Sequence, residues 1–170
     1  MKLAIVDFDD TLFFTSESCI RMACTEKFGA GMTTKEIRNL GKKEKGDVYN
    51  LAFTKYKDYS IPNEKLIERL SSHDGDIIVL TARFDIVYKD TEYLLKKHGI
   101  SYDKLILKDQ KSYGLKDEDW KLGVVKNLLN EYSEIYFYDD KEENVKHIKS
   151  NIDSGKLKCF LSKKEEIIEY

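Results

Sequence analysis

The sequence predicts an α/β fold, a central parallel sheet of about five strands with helices on both faces. Three observations carry this expectation. Apolar runs too short for helices alternate with longer segments of helical period. Within each run successive residues are apolar, the pattern of a strand covered on both sides. The chain of 170 residues, 41% hydrophobic and 35% charged, is also long enough to bury such a core.

The expected strands are KLAIVDF (2–8), DIIVLTA (76–82), DKLIL (103–107), EIYFYDD (134–140) and LKCFL (157–161). Their β-branched and aromatic side chains favour extended backbone. Between them lie the helical segments SESCIRMACTEKFG (16–29), FDIVYKDTEYLLKKHG (84–99), DEDWKLGVVKNLLNEY (117–132) and KEENVKHIKS (141–150). The second of these closes on Lys96, Lys97, His98 and Gly99, positive charge in the last turn followed by a glycine stop. That accounts for His98 structurally, and His73 and His147 have no ligand-like neighbours in the sequence either.

The first and second strands are about 70 residues apart, whereas one crossover needs roughly 30 to 35. The surplus falls within residues 30–66, where MTTKEIRNL and EKGDVYNLAFTKYKDY read as two short helices before PNEKLIERL resumes the main layer, with Pro62 at a helix start. The expectation is one domain over 1–170 carrying a small helical cap insertion. That insertion holds Lys35, Arg38, Lys42, Lys43, Lys45, Lys55 and Lys57 against Glu36, Glu44 and Asp47, and Tyr49, Phe53 and Tyr56 at helical spacing. Two readings stand: a phosphate-backbone contact with base stacking, or an amphipathic helix with its aromatic stripe on the core.

The 29 basic and 31 acidic residues nearly cancel, so no overall field draws nucleic acid or a membrane surface. Cys19, Cys24 and Cys159 have no metal-ligand spacing, and their odd number fits reduced, buried thiols. No run is long enough to cross a bilayer, and the first strand leaves no room for a signal peptide, so a cytoplasmic protein is expected.

Polar residues at the carboxyl ends of parallel strands converge on one crevice. Here they are Asp7, Asp9 and Asp10 after the first strand, Thr81 and Arg83 after the second, and Asp139 and Asp140 after the fourth. So many carboxylates on one edge call for a cation, and hard oxygen ligands suit Mg²⁺. Asp7 and Asp9, two apart, would face one side, one to attack phosphorus and one to handle protons. Thr81 and Arg83 suit phosphate oxygens, although a surface ion pair is the other reading of Arg83. Lys121 would complete the positive lining, with Lys108 as its rival, and Asn144 would support the metal site or face solvent.

Together these residues resemble the four motifs of the haloacid dehalogenase superfamily of phosphohydrolases: D-x-D-x-T at 7–11, Thr81, Lys121, and the Asp139–Asp140 pair. The resemblance implies a Rossmann-like sheet and an aspartyl-phosphate mechanism with Asp7 as nucleophile and Asp9 as acid and base. It also implies Mg²⁺ held by Asp7, the carbonyl of Asp9 and Asp140 with help from Asp139, the phosphoryl steadied by Thr81 and Lys121, and Asp9 oriented by Thr11. Within the superfamily, LTAR (80–83), WK (120–121) and YDDKEENV (138–145) are most similar to the phosphatase domains of polynucleotide kinase phosphatases. The substrate this implies is a nucleic-acid or nucleotide phosphate, a 3′-phosphate terminus favoured, with a small-molecule phosphatase such as a 5′-nucleotidase or sugar phosphatase as the alternative. A non-catalytic phosphate-binding module is the remaining class. No P-loop pattern occurs in the sequence, so a kinase acting with this chain would be a separate partner.

Overall fold

β1 (Lys2–Val6) lies inside a sheet built around it, and the computed structural model describes residues 1–164 and 166–170. The remaining strands are β2 (Phe13–Phe14), β3 (Ile61–Pro62), β4 (Asp76–Phe84), β5 (Lys104–Lys108), β6 (Glu134–Asp139), β7 (Leu157–Ser162) and β8 (Ile167–Glu169). The helices are α1 (Cys19–Phe28), α2 (Thr34–Arg38), α3 (Lys42–Thr54), α4 (Glu64–Ser71), α5 (Tyr88–Lys97), α6 (Asp117–Leu128) and α7 (Glu142–Asn151). The main sheet runs β5-β4-β1-β6-β7-β8. Its five expected strands are parallel, and β8 adds an antiparallel edge that the sequence pattern did not reveal.

Alternation along β1 sends Ala4 and Val6 to one core and Leu3 and Ile5 to another. The first core meets Leu66 and Leu70 of α4 and Leu94 and Leu95 of α5. The second meets Trp120 and Val125 of α6 and Val145 and Ile148 of α7. This is why the strand runs are apolar at every position. The chain goes from β1 outward to β4 and β5 on one side, then crosses to β6 and β7 on the other. Strand order therefore reverses between β1 and β6, and the crevice of such a sheet opens there, at the carboxyl ends.

After β1 the chain turns through Asp10, whose φ of 58° lies in the left-handed region. It then pairs β2 with β3, and the residues between them carry α1, α2, α3 and a short 3₁₀ turn at Lys57–Tyr59. Pro62, expected at a helix start, pairs with Phe13 instead, where a missing N–H costs nothing on an edge. The start of α4 is capped by Asn63, whose side chain accepts from the Leu66 N–H at 3.2 Å. The helix expected from residue 84 begins at Tyr88, because the sheet continues through a bulge to Phe84. All three cysteines are free and buried.

Candidate functional site

Asp7 directly follows β1, and its N–H donates to the Tyr138 carbonyl of β6 at 2.9 Å. That backbone bond brings the ends of β1 and β6 together, and with them Asp7, Asp139 and Asp140. One carboxylate oxygen from each lies within 4.8 Å of the other two. Lys121 enters from α6 and donates to Asp7 Oδ1 and Asp139 Oδ2, both at 2.6 Å. The rival Lys108 donates to the Leu115 carbonyl at 2.6 Å and to Asp117 at 2.9 Å, tying down the start of α6.

Three donor groups converge on Asp139. Besides Lys121, Asn144 Nδ2 lies 2.9 and 3.0 Å from its two oxygens, and the Lys141 N–H donates to Oδ1 at 2.9 Å. A carboxylate has about four acceptor positions, so Asp139 keeps little capacity for another ligand and serves chiefly to hold Lys121. Asn144 thus supports the site from within, being buried. Asp7 accepts on Oδ2 from the Thr11 hydroxyl at 3.1 Å, which leaves each of its oxygens one free lone pair.

Electrostatics follow from this crowding. Burial pushes the Asp7 carboxyl up to about 6, against the pull of Lys121. Burial, then Asp7 and Asp139, push Asp140 up to about 8. Burial alone would depress the Lys121 ammonium, but Asp139 and Asp7 more than offset it and hold it protonated. Ionising all three carboxylates would exceed the charge of Lys121 and of Lys141 beside them, which is why the ion-free site holds protons and offers hard oxygen atoms to a cation. Mg²⁺ fits that donor set through Asp7 and Asp140, which retain free lone pairs.

Asp9 belongs to a second group. Arg83 grips it as a fork, Nε to Oδ2 at 2.9 Å and one terminal nitrogen to Oδ1 at 2.7 Å. The other terminal nitrogen donates to Thr91 on α5 at 3.2 Å. The Arg83 side chain is 1% exposed, and its guanidinium lies 4.2 Å from the centre of the Phe8 ring and 3.8 Å from that of Phe53. Arg83 was expected among the phosphate ligands; here three of its N–H groups are spent on Asp9 and Thr91, and two aromatic rings lie against its guanidinium. Thr11, expected to orient Asp9, instead donates to Asp7 and, at 3.4 Å, to Asp140. Asp9 is oriented by Thr15, whose hydroxyl donates to Oδ1 at 2.9 Å.

Thr81 is buried on β4, its hydroxyl accepting from the Arg83 N–H at 3.2 Å. Asp10 turns away and accepts from the N–H of Ser16 at 2.8 Å and from its hydroxyl. Sequence reasoning missed Thr15, Thr91 and the Phe8–Phe53 pair. Phe8 lay inside the quoted motif and Phe53 on the aromatic stripe, but only the fold brings them to one guanidinium.

Neither protein-family models nor curated proteins give a match to the chain. Solved structures do. A chain in the Pnkp1/Rnl/Hen1 complex aligns with a TM-score of 0.57 at 19% identity over 95% of this chain and 46% of its own length. A chain in the Pnkp1/Rnl/Hen1 RNA repair complex aligns with 0.54 at 20%, over 95% and 42%. This chain therefore spans less than half the length of those two. A hydrolase of the haloacid dehalogenase-like family from Streptococcus pneumoniae aligns with 0.55 at 14%, over 88% and 80%. The chain has the Rossmann-like fold of the haloacid dehalogenase group, with the sequence motifs at its crevice.

Proposed function

We propose that this chain is a phosphomonoester hydrolase that works through an aspartyl-phosphate on Asp7, with Mg²⁺ as cofactor. The observation that carries the reading is the pairing of two aspartates two residues apart with separate cations. Asp7 lies on Lys121 beside Asp140, whereas Asp9 lies on Arg83.

In the first step a free lone pair of Asp7 attacks phosphorus and the ester P–O bond breaks, the leaving oxygen taking a proton from Asp9. Both acceptor positions of Asp9 Oδ1 are occupied, by Arg83 and Thr15, so the proton resides on the open lone pair of Oδ2. In the second step Asp9 Oδ2 takes a proton from water, the water oxygen bonds to phosphorus, and the P–O bond to Asp7 breaks to release phosphate. Lys121 and Thr81 are assigned to the phosphoryl oxygens. Bound Mg²⁺, held by Asp7, Asp140 and the Asp9 carbonyl, supplies charge neutralisation there.

The substrate we favour is a nucleic-acid or nucleotide phosphate, its 3′-terminal phosphate above others, because the two repair-complex chains share the fold over nearly all of this chain. Work beside a separate kinase or repair partner accords with that reading. The excursion between β2 and β3 is assigned as the cap; it adds α1 to the expected 30–66 segment and ends before residues 61–66, which form β3 and the start of α4. One observation favours a small-molecule substrate instead. The Phe53 ring of α3 lies 3.8 Å from the Arg83 guanidinium that grips Asp9, and Tyr49 stacks on Phe53 with 5.7 Å between centroids, so this helix reaches the crevice.

Release of phosphate from an aryl phosphate with Mg²⁺ tests the reaction. Asp7→Asn is expected to abolish it, and undiminished turnover in that variant would refute the mechanism. A 3′-phosphorylated oligonucleotide turned over no better than mononucleotides would remove the substrate preference.

A further inference from the structure

Exposed apolar side chains collect at one place beside the candidate site. Phe84 is 41% exposed, Ile86 73% and Leu115 53%. Phe84 directly follows Arg83, the residue that grips Asp9, and is paired across the sheet with Lys108. The Lys108 ammonium lies 2.6 Å from the Leu115 carbonyl, which places Leu115 at the same edge. The Tyr113 ring stacks on Phe84 with 4.0 Å between centroids and 29° between planes, and its hydroxyl donates to Asp85 at 2.5 Å. Two rings are thus locked together at the carboxyl edge of the sheet, outside the helical excursion.

Scattered exposed apolar residues are ordinary, but a cluster that includes a pre-stacked aromatic pair leaves a flat apolar face in water. Two exposed cations, Lys89 and Lys111, lie beside it with the acids Asp85 and Asp109, whereas Lys108 is buried on Asp117 and Lys116 lies 4.0 Å from Glu118. Both acids are engaged: Asp85 accepts from Tyr113, and Asp109 accepts from the Ser112 N–H at 3.0 Å and its hydroxyl at 2.5 Å. Lys111 and Lys89 are exposed. Aromatic faces flanked by lysines are what single-stranded nucleic acid binds, bases on the rings and phosphates on the ammonium groups.

We infer that Phe84 and Tyr113 form a stacking site for the nucleobase at the phosphorylated end of a single-stranded polynucleotide, with Lys111 and Lys89 meeting backbone phosphates. The inference rests on the phosphatase reading and adds the feature that selects a base-bearing ester.

The test compares a 3′-phosphorylated single-stranded oligonucleotide with the same oligonucleotide lacking its terminal base, turned over by wild type, Phe84→Leu and Phe84→Trp. Wild type is expected to favour the base-bearing ester about tenfold in kcat/KM, within the range of one base–aromatic stack. Phe84→Leu, apolar but without a ring face, should bring that ratio toward one, and Phe84→Trp should retain it. Equal kcat/KM for the two esters in wild type, or an unchanged ratio in Phe84→Leu, overturns the stacking site while the phosphatase reading stands. A patch that docks a partner protein would give that outcome. Loss of turnover on an aryl phosphate as well would overturn the phosphatase reading. In that case the equilibrium affinities of the two oligonucleotides for wild type and Phe84→Leu decide the stacking site by the same ratio.

Discussion

Arg83→Lys separates two roles for a buried cation: a ligand of the phosphoryl group, or a holder of the proton-handling carboxylate. The structure favours the second. Arg83 spends two N–H groups on Asp9 at 2.9 and 2.7 Å and a third on Thr91 at 3.2 Å, with two aromatic rings against its guanidinium. A lysine keeps the charge but replaces the two-point grip with at most one bond, and its ammonium has no flat face to lay against Phe8 and Phe53. Losing one charge-assisted hydrogen bond is worth about 1.5 to 3 kcal/mol, or roughly ten- to 150-fold in rate if it is felt in full by the proton transfer. The assay is kcat/KM across a series of phosphate esters with leaving groups from nitrophenol to simple alcohols, at saturating Mg²⁺. Alcohols need a proton as the bond breaks, which the proposed mechanism draws from Asp9, and nitrophenol does not. Arg83→Lys is therefore expected to lose roughly 30-fold or more on alkyl esters and only a few-fold on nitrophenyl phosphate. Phe53→Leu should show the same slope, smaller, since it removes one ring worth about 0.5 to 2 kcal/mol. An equal loss for every ester would refute the argument and return Arg83 to the phosphate.

Other outcomes can be read more simply. Lys121→Met is expected to abolish phosphate release, whereas Lys108→Met, which breaks contacts to Leu115 and Asp117, should lower the melting temperature and keep measurable turnover; the reverse pattern would make Lys108 the motif lysine. Gly75→Ala should destabilise by about 1 to 3 kcal/mol in urea unfolding, because an added Cβ would sit 2.3 Å from the Lys2 carbonyl oxygen. The raised carboxyls predict a pH-dependent response to Mg²⁺. Asp140, raised from 3.8 to about 8, and Asp7, raised to about 6, keep protons in the ion-free fold that the unfolded chain has released. Ion-free stability from these groups is therefore fully present below about pH 4 and falls as pH rises toward 8. Mg²⁺ binds the ionised form, so the rise in melting temperature that it produces should be larger at pH 8 than at pH 5.5. An equal or larger rise at pH 5.5 would contradict it.

What could be read from the sequence was set by local chemistry. The five parallel strands were legible because each is apolar on both faces, and the motif aspartates because they directly follow such runs. Its position one helix before β6 distinguishes Lys121 from Lys108 in the sequence. Features that depend on two distant segments meeting were not legible. β8 is three residues long and takes its identity from its partner β7. Pro62 reads as a helix start until Phe13 arrives beside it. The donors on Asp9 come from Thr15 and Arg83, six and 74 residues away. Sequence spacing offers no way to tell that Thr15 rather than Thr11 reaches Asp9, since the turn through Asp10 decides it.

That turn also explains how three aspartates fit into four positions. Were the segment extended throughout, Asp7 and Asp9 would share one side and their charges would add there. β1 ends at Val6, ahead of all three acids, and the left-handed φ of Asp10 turns the chain at the third. Asp7 stays behind on the sheet with Lys121, Asp9 goes to Arg83 and Thr15, and Asp10 closes a local loop on Ser16. Separation by partner gives each carboxylate a different environment from nearly the same address. A nucleophile and a proton carrier need that difference, since one must stay ionised against phosphorus while the other gains and loses a proton in each cycle. Glycine at position 10 would ease the left-handed backbone but remove the two bonds from Ser16 that brace the turn. Asp10 thus braces the turn that follows Asp9, while Arg83 and Thr15 hold Asp9 itself.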